Sequence, residues 1–462
     1  MSKLDDFMNI VNTNLDKLDM SEKAKLTLIN EVRKPDRTYI RKLSFIGISL
    51  VAFVLILIMF TGIFTHDFSK AYANDLMKEI TPQKVETASL SEDFLKSTAD
   101  FSMELFKKSY TKGKNSLISP TSVYLALGMT ANGSEGNTLK EFETLLGRYN
   151  LNINDLNIYY NSLTRELTDT ASDKFKIANS IWYNQDKNLD IKQDFLQTNA
   201  DYYSAAAYKA DFNSKRTIDE VNKWVKYNTH KLIDKVIDKI DANTIMYLIN
   251  TVYFEDEWQS PYTKNTVRKA AFKLQNKTSK TVEFMYSEEY SYLKDDKAQG
   301  FIKPYKNGKY SFVALLPNEG VSIDSYVNSL SGEGFINLMK NKSSETVFAG
   351  LPKFKADYNI DLVKPLKQMG LKDCFISGKA NFTKMADNNA GDIFISKVIH
   401  KTFIAVDTEG TKAGAVTEVE MMGKGIVSSE HNITLNHPFV YAIVDNETNL
   451  PLFIGTMTNP EN

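Results

Sequence analysis

Histidine, cysteine and paired carboxylates supply most active sites, and this chain of 462 residues uses them sparingly. Its five histidines, His66, His230, His400, His431 and His437, never fall in an HExxH pair. Its one cysteine, Cys374, excludes a CxxC site and any intramolecular disulfide. No GxSxG elbow or GxxxxGK(S/T) phosphate loop occurs, and GKG at 423–425 lacks the strand-to-helix context such a loop requires. Glu288 and Glu289 are adjacent and point apart on an extended backbone. The sequence therefore implies no catalytic residues, no metal and no cofactor.

His400 is the one histidine in an informative setting, inside the apolar run IFISKVIHKTFIAVD. Asn250 sits likewise inside TIMYLINTVYF, where an unsatisfied amide would cost about 1–3 kcal/mol. Ser119, Thr121 and Ser122 cluster at a helix start, where free N–H groups need acceptors. Capping accounts for the serines; a buried hydrogen-bonded group of Ser122, Asn250 and His400 accounts for the other two. Either way His400 packs and hydrogen-bonds rather than acting as a base.

The most unusual stretch is 410–425, GTKAGAVTEVEMMGKG. Thr411, Ala413, Ala415, Thr417, Val419 and Met421 form one alternate set, Lys412, Gly414, Val416, Glu418, Glu420 and Met422 the other. Small or apolar groups on one face and most charges on the other give the two-residue period of a half-buried strand. Gly410 and Gly414 weaken that strand, Gly423 and Gly425 break its end, and IVSSEHN after it has loop composition. Two readings stay open: an edge strand running into a surface loop, or a segment patterned for a sheet that enters it only conditionally.

The elements around these residues imply an α+β domain over 89–462. Ser89 with Glu92 makes a capping box before a first helix. After Asn115 a short strand precedes two helices, with Pro120 at a first helical position, Gly133 at a stop and Asn137 at the next cap. NSIWY at 179–183 reads as a strand with a polar interruption, the region 217–239 around Trp224 as helix, and 244–254 as a strand buried on both faces. From 281 the chain turns strand-rich, through TVEFMY, KYSFVALLP, TVFAGLPKF, PFVYAIVD and PLFIGTM, the last two joined as a hairpin around 446–449.

A net charge of −1 gives no reason to expect nucleic acid as a partner. Residues 43–65 carry no charge over roughly 22 positions, about 33 Å as a helix and enough to cross a bilayer core. Arg33, Lys34, Arg37, Arg41 and Lys42 precede this span, against Lys70 and Lys78 after it, which puts the N-terminus in the cytoplasm and the rest outside. Ala71, Tyr72 and Ala73 resemble a signal-peptidase site, but the long cytoplasmic lead favours an uncleaved anchor in the cell membrane. Residues 1–42 read as a cytoplasmic segment with amphipathic helices, and 66–88 as a flexible tether holding the domain about 25 Å from the bilayer.

Several stretches resemble the serpin family, over about 90–460. They are NSLISPTSVYLALGMTANGSEGNT, INTVYFEDEWQSPY with Asn250, Trp258 and Pro261, LPKF at 351, VIHKTFIAVDTEGTKAGA at 398, and HPFVYAIVDNETNLPLFIGTMTNP at 437. The resemblance implies a fold of three sheets and about nine helices with an exposed reactive loop, here after a single transmembrane helix. It also implies a monomeric suicide substrate. A serine protease cleaves the loop and forms an acyl-enzyme, and the freed strand enters the main sheet, carrying the protease with it. Roughly 14 residues at about 3.3 Å each give a displacement of about 46 Å.

On that resemblance the loop hinge is Gly410, Thr411, Ala413, Gly414, Ala415 and Thr417, small enough to enter a packed sheet, where overpacking costs about 1–3 kcal/mol. Ser119, Ser122, Asn250 and His400 become a sheet-opening polar cluster. Thr408 departs from the acidic residue usual in inhibitory members, and Val416 from alanine. The usual loop length puts the attacked bond between Lys424 and Gly425, which implies trypsin-like targets. A slip of two residues would make Met422 the bait and favour chymotrypsin- or elastase-like enzymes. The rival expectation is a serpin-fold binding or folding-helper protein at the cell surface that inhibits nothing.

Overall fold

The computed structural model describes residues 73–168, 174–241, 244–387, 393–411 and 430–460. The chain divides into two compact units, Met1–Ala71 and Tyr72–Asn462, and all described residues belong to the second. The cytoplasmic segment 1–42 and the membrane span 43–65 lie outside the described residues. Among the described residues no helix is long and apolar enough to cross a membrane.

In chain order the elements begin with β1 (Asn74–Asp75), α1 (Glu92–Ser109), β2 (Ser116–Ile118), α2 (Pro120–Ala131), α3 (Gly136–Leu146), α4 (Ile153–Thr168) and β3 (Phe175–Asn184). Next come α5 (Gln193–Tyr203), β4 (Ala206–Ala210), α6 (Lys215–Asn228), β5 (Met246–Phe254), β6 (Asp256–Glu257), β7 (Val267–Lys273) and β8 (Ser279–Glu289). After them stand β9 (Tyr292–Lys294), β10 (Ala298–Pro304), β11 (Tyr310–Pro317), α7 (Ile323–Ser329), α8 (Gly332–Lys340), β12 (Val347–Pro352) and β13 (Phe354–Asp361). The chain closes with α9 (Val363–Gln368), β14 (Ile395–Val406), β15 (Gly410–Thr411), β16 (His431–Thr434), β17 (Phe439–Asp445) and β18 (Pro451–Met457). Among the described residues this makes nine α-helices and three sheets, the α+β architecture expected.

The main sheet has eight strands in the order β1, β4, β3, β5, β14, β15, β6, with β13 paired to β14. A six-stranded sheet runs β2, β18, β17, β11, β10, β9, and a four-stranded one runs β16, β12, β8, β7. Every residue of β5 is buried, as an apolar strand covered on both faces requires. Tyr247 and Ile249 pack with Val221 and Val225 of α6, while Met246 and Leu248 join the larger core with Val123 and Leu127 of α2. Asn250 follows the same alternation and faces α2. That helix is buried at all twelve positions, which matches its nearly unbroken apolar sequence.

Several local expectations are corrected. The cap of α1 is Ser91, whose hydroxyl accepts from the Phe94 amide at 3.2 Å, and not Ser89. Asn137 lies inside α3, where its amide donates to Asp373 at 2.5 Å, and Glu135 holds the cap position. Helix α6 stops at Asn228, and His230 and Lys231 follow at positive φ of 48° and 69°. Of the segment read as a tether, residues 73–80 pack on the domain. Asn74 and Asp75 pair with Lys209 and Tyr208 on β4, the Ala73 amide donates to Glu220 at 2.8 Å, and Leu76, Met77 and Ile80 pack against the core. Three scattered apolar side chains and one strand pairing hold this segment to the domain, and neither has a periodic signature.

Candidate functional site

The main sheet contains a seam. β5 and β14 pair in parallel from Met246 with Ile395 to Thr251 with Lys401, and Asn250 stands opposite His400. On the far side of β5, Asn250 stands opposite Asn179 of β3. Register therefore puts Asn179, Asn250 and His400 in one row across three strands, on the face that meets the N-terminus of α2.

Their hydrogen bonds close on one another. The Ser119 amide donates to Nε2 of His400 at 3.0 Å, so the ring proton sits on Nδ1 and is donated to Oδ1 of Asn250 at 2.6 Å. The same oxygen accepts from the Ser122 hydroxyl at 2.5 Å. Nδ2 of Asn250 donates to the Ser122 carbonyl at 2.9 Å and to Oδ1 of Asn179 at 2.5 Å. Both donors and both acceptor sites of Asn250 are thus used. Burial pushes the His400 pKa down to about 3, which keeps the ring neutral. With both nitrogens engaged and no solvent access, His400 has no free lone pair for a substrate, as its setting in the sequence implies.

Ser119 joins this group differently from expectation. It precedes α2, but its side chain makes no cap and its buried hydroxyl has no hydrogen-bond partner; only its backbone reaches His400. Thr402 adds a second tie from β14, donating to the Leu117 carbonyl of β2 at 2.8 Å.

Beyond the seam the chain reverses. Oδ1 of Asp407 accepts from the amides of Glu409 and Gly410 at 2.9 and 3.2 Å, closing a tight turn. The Trp258 amide donates to the Glu409 carbonyl at 2.8 Å, its indole N–H to the Asp407 carbonyl at 2.9 Å, and the Tyr262 amide to the Thr408 carbonyl at 2.8 Å. Thr408 takes part through its backbone, so the turn uses nothing from its side chain.

The turn delivers Gly410 and Thr411 into the main sheet as β15, antiparallel to β14 through Val406 and to β6 through Asp256 and Glu257. Because β6 continues β5, this short strand already separates the two sides at the end of their seam. Thr411 is fully buried, with its hydroxyl 2.5 Å from that of Tyr305. A Cβ on Gly410 would lie 2.1 Å from the Asp256 carbonyl oxygen, so no other residue fits without moving backbone.

The remaining hinge residues Ala413, Gly414, Ala415 and Thr417, and the expected bond between Lys424 and Gly425, lie outside the described residues. The chain is described again at Glu430, which exchanges hydrogen bonds with Thr346 at 3.0 and 3.2 Å. His431 then opens β16, parallel to β12 in the four-stranded sheet, with its ring stacked on Tyr292 and bonded to Glu345. The chain is thus in the main sheet at Thr411 and in the four-stranded sheet at His431.

Sequence reasoning passed over Tyr262, Tyr305 and the role of Asn179. Asn179 had a signal, a polar amide interrupting an apolar strand; Tyr305, in a chain with 23 tyrosines, had none.

The serpin (serine protease inhibitor) family model matches residues 96–460. Leukocyte elastase inhibitor of Equus caballus is 31% identical over 360 residues, covering 75% of this chain and 93% of the relative. Intracellular coagulation inhibitor 2 of Tachypleus tridentatus is 30% identical over 385 residues, covering 80% and 92%. The native structure of a thermophilic serpin, tengpin, superposes with a TM-score of 0.79 at 44% identity, over 84% of this chain and all of that one. The row of polar groups across the seam and the turn that starts a strand beside it therefore belong to a member of the serpin family.

Proposed function

We propose that this protein is a membrane-anchored, monomeric suicide-substrate inhibitor of trypsin-like serine proteases, consumed once rather than turning over. The observation that carries the reading is β15. Gly410 and Thr411 already run antiparallel to both neighbours at the end of the β5 and β14 seam, so a strand extended from them would enter it in the same direction. Thr411 points to the core, and in such an inserted strand the two-residue period would turn Ala413, Ala415, Thr417, Val419 and Met421 inward, none of them charged.

In this reading the protease serine attacks the Lys424 carbonyl and the amine of Gly425 leaves, which frees the loop at one end. Entry breaks the contact between His400 and Asn250, the polar tie that spans the seam, and gives both strand edges an antiparallel partner. Ser119, Ser122, Asn250 and His400 then act as the sheet-opening cluster, setting how readily the seam parts. Residues 43–65 keep the inhibitor, and the protease it traps, on the outer face of the cell membrane. The names of the two relatives, an elastase inhibitor and a coagulation inhibitor, support inhibition as the activity.

Incubation with trypsin is expected to give an adduct that survives boiling in detergent and releases a fragment beginning at Gly425. Cleavage with no adduct would favour the binding or folding-helper alternative, and a fragment beginning at Gly423 would make Met422 the bait. Ala413→Arg, placing a charge on the inward face, is expected to turn the inhibitor into a substrate that is cut without trapping; unchanged inhibition would overturn the assignment of Ala413 to the core side. The intact chain is expected in a membrane fraction that detergent, and not alkaline carbonate, extracts. A soluble form beginning near Asn74, with none left in the membrane, would remove the anchor from the proposal.

Acid is expected to loosen the seam. The folded pKa of His400 lies at about 3, below its ordinary value of 6.5, so the unfolded chain takes up a proton that the folded cluster refuses. Stability is complete above pH 6.5 and falls as pH drops toward 3, with His400 contributing up to about 1.4 kcal/mol per pH unit. Urea midpoints measured across that range should fall less steeply in His400→Gln than in the wild type.

A further inference from the structure

Lys303 of β10 and Glu289, the last residue of β8, form an ion pair with Nζ and Oε1 2.7 Å apart and side chains 1% and 6% exposed. Among the described residues no other ion pair has both partners so far out of water. The same ammonium donates to the Ser260 carbonyl at 3.1 Å, in the stretch that follows β6. One cation therefore ties together chain from all three sheets. It lies 4.3 Å from the centroid of the Tyr262 ring and 5.5 Å from that of Trp258. Ser287 completes the group, donating to Oε1 of Glu289 at 2.6 Å and lying 3.3 Å from the Tyr262 hydroxyl.

Stability does not explain this arrangement, because a buried pair gains little over apolar side chains of similar volume. An apolar pair would not place a fixed charge beneath two aromatic faces. Those two residues hold the hinge. Trp258 bonds the carbonyls of Asp407 and Glu409, and Tyr262 bonds that of Thr408. Trp258 also stacks on Tyr305, at 4.7 Å and 14°, and Tyr305 bonds Thr411. Apart from the sheet pairings of β15 with Val406, Asp256 and Glu257, the bonds that Trp258, Tyr262 and Tyr305 make to 407–411 from outside the turn come from residues that touch the cation or a ring resting on it.

We propose that the Lys303–Glu289 pair is the positioning device of the hinge. It fixes Trp258 and Tyr262, and through them the turn that sets Gly410 and Thr411 in the sheet, and it thereby sets how quickly the loop enters after cleavage. The inference rests on the inhibitory reading, since speed of entry matters only when a protease must be caught before it deacylates.

The test uses the full-length chain with Lys303→Met, Glu289→Gln, and the double variant Lys303→Met with Glu289→Met. Hydrogen exchange at the Trp258 and Tyr262 amides is expected to rise about tenfold or more in all three. The moles of inhibitor consumed per mole of trypsin trapped should rise severalfold. The double variant separates positioning from folding: its urea midpoint is expected to return to the wild-type value while the fast exchange and the poor trapping persist. Wild-type exchange at both amides in a double variant of wild-type stability would overturn the proposal and leave the pair a packing feature. If the wild type traps no protease, the inhibitory reading fails by itself, and exchange at the two amides still decides whether the pair positions the hinge.

Discussion

The pairing of β5 with β14 is parallel, and the rest of the domain is arranged around that fact. Parallel ladders have slanted hydrogen bonds and are slightly less stable per residue than antiparallel ones. A third strand running the opposite way would offer both edges a better partner. The native sheet thus holds a contact that a competing one can replace, and the row of Asn179, Asn250 and His400, fastened to α2 through Ser119 and Ser122, ties it shut. Such a network is stable only when complete, because each buried polar group that loses its partner keeps its desolvation cost. Parting β5 from β14 would therefore break the whole row at once.

The hinge adds direction. The turn at 407–409 is closed by the Asp407 carboxylate and held from outside through backbone carbonyls, by Trp258 and Tyr262, with Thr408 taking part through its carbonyl. This explains how Thr408 can stand where an acidic residue is usual. Gly410 has no such latitude, since the Asp256 carbonyl occupies the space a Cβ would need. With one end of 412–429 fixed in the main sheet and the other in the four-stranded sheet, entry of this segment into the seam requires that one connection be severed or one strand be withdrawn.

Much of this was legible in the sequence, for identifiable reasons. The run 244–254 declared a strand covered on both faces because only Asn250 and two threonines interrupt its apolar character, and the same contrast marked Asn250 and His400 as partners of something buried. The alternation from Thr411 is tested only at Thr411 itself, which is buried in β15 as the pattern implies. The docking of 73–80 was not legible, because Leu76, Met77 and Ile80 carry no period and the partner, β4, lies more than a hundred residues away. Nor were the anchors of the hinge: Tyr262 and Tyr305 act through one amide and one hydroxyl, contacts that leave no trace in spacing or composition. Ser119 was found for the wrong reason, since position made it a cap while its backbone does the bonding.

The six-stranded sheet has a consequence for how the molecule is made. Its second strand, β18, is the last of the described elements, yet it lies between β17 and β2, and Asn115 bonds the Asn459 carbonyl across 344 positions of sequence. Helix α2, which fastens the seam, rests on that last strand through the large core. During synthesis from the N-terminus, β2 stands without its sheet partner until β18 emerges. The nascent six-stranded sheet therefore keeps unpaired edges, an aggregation hazard, while the rest of the described domain emerges, and loss of β18 would remove an inner strand rather than trim an edge.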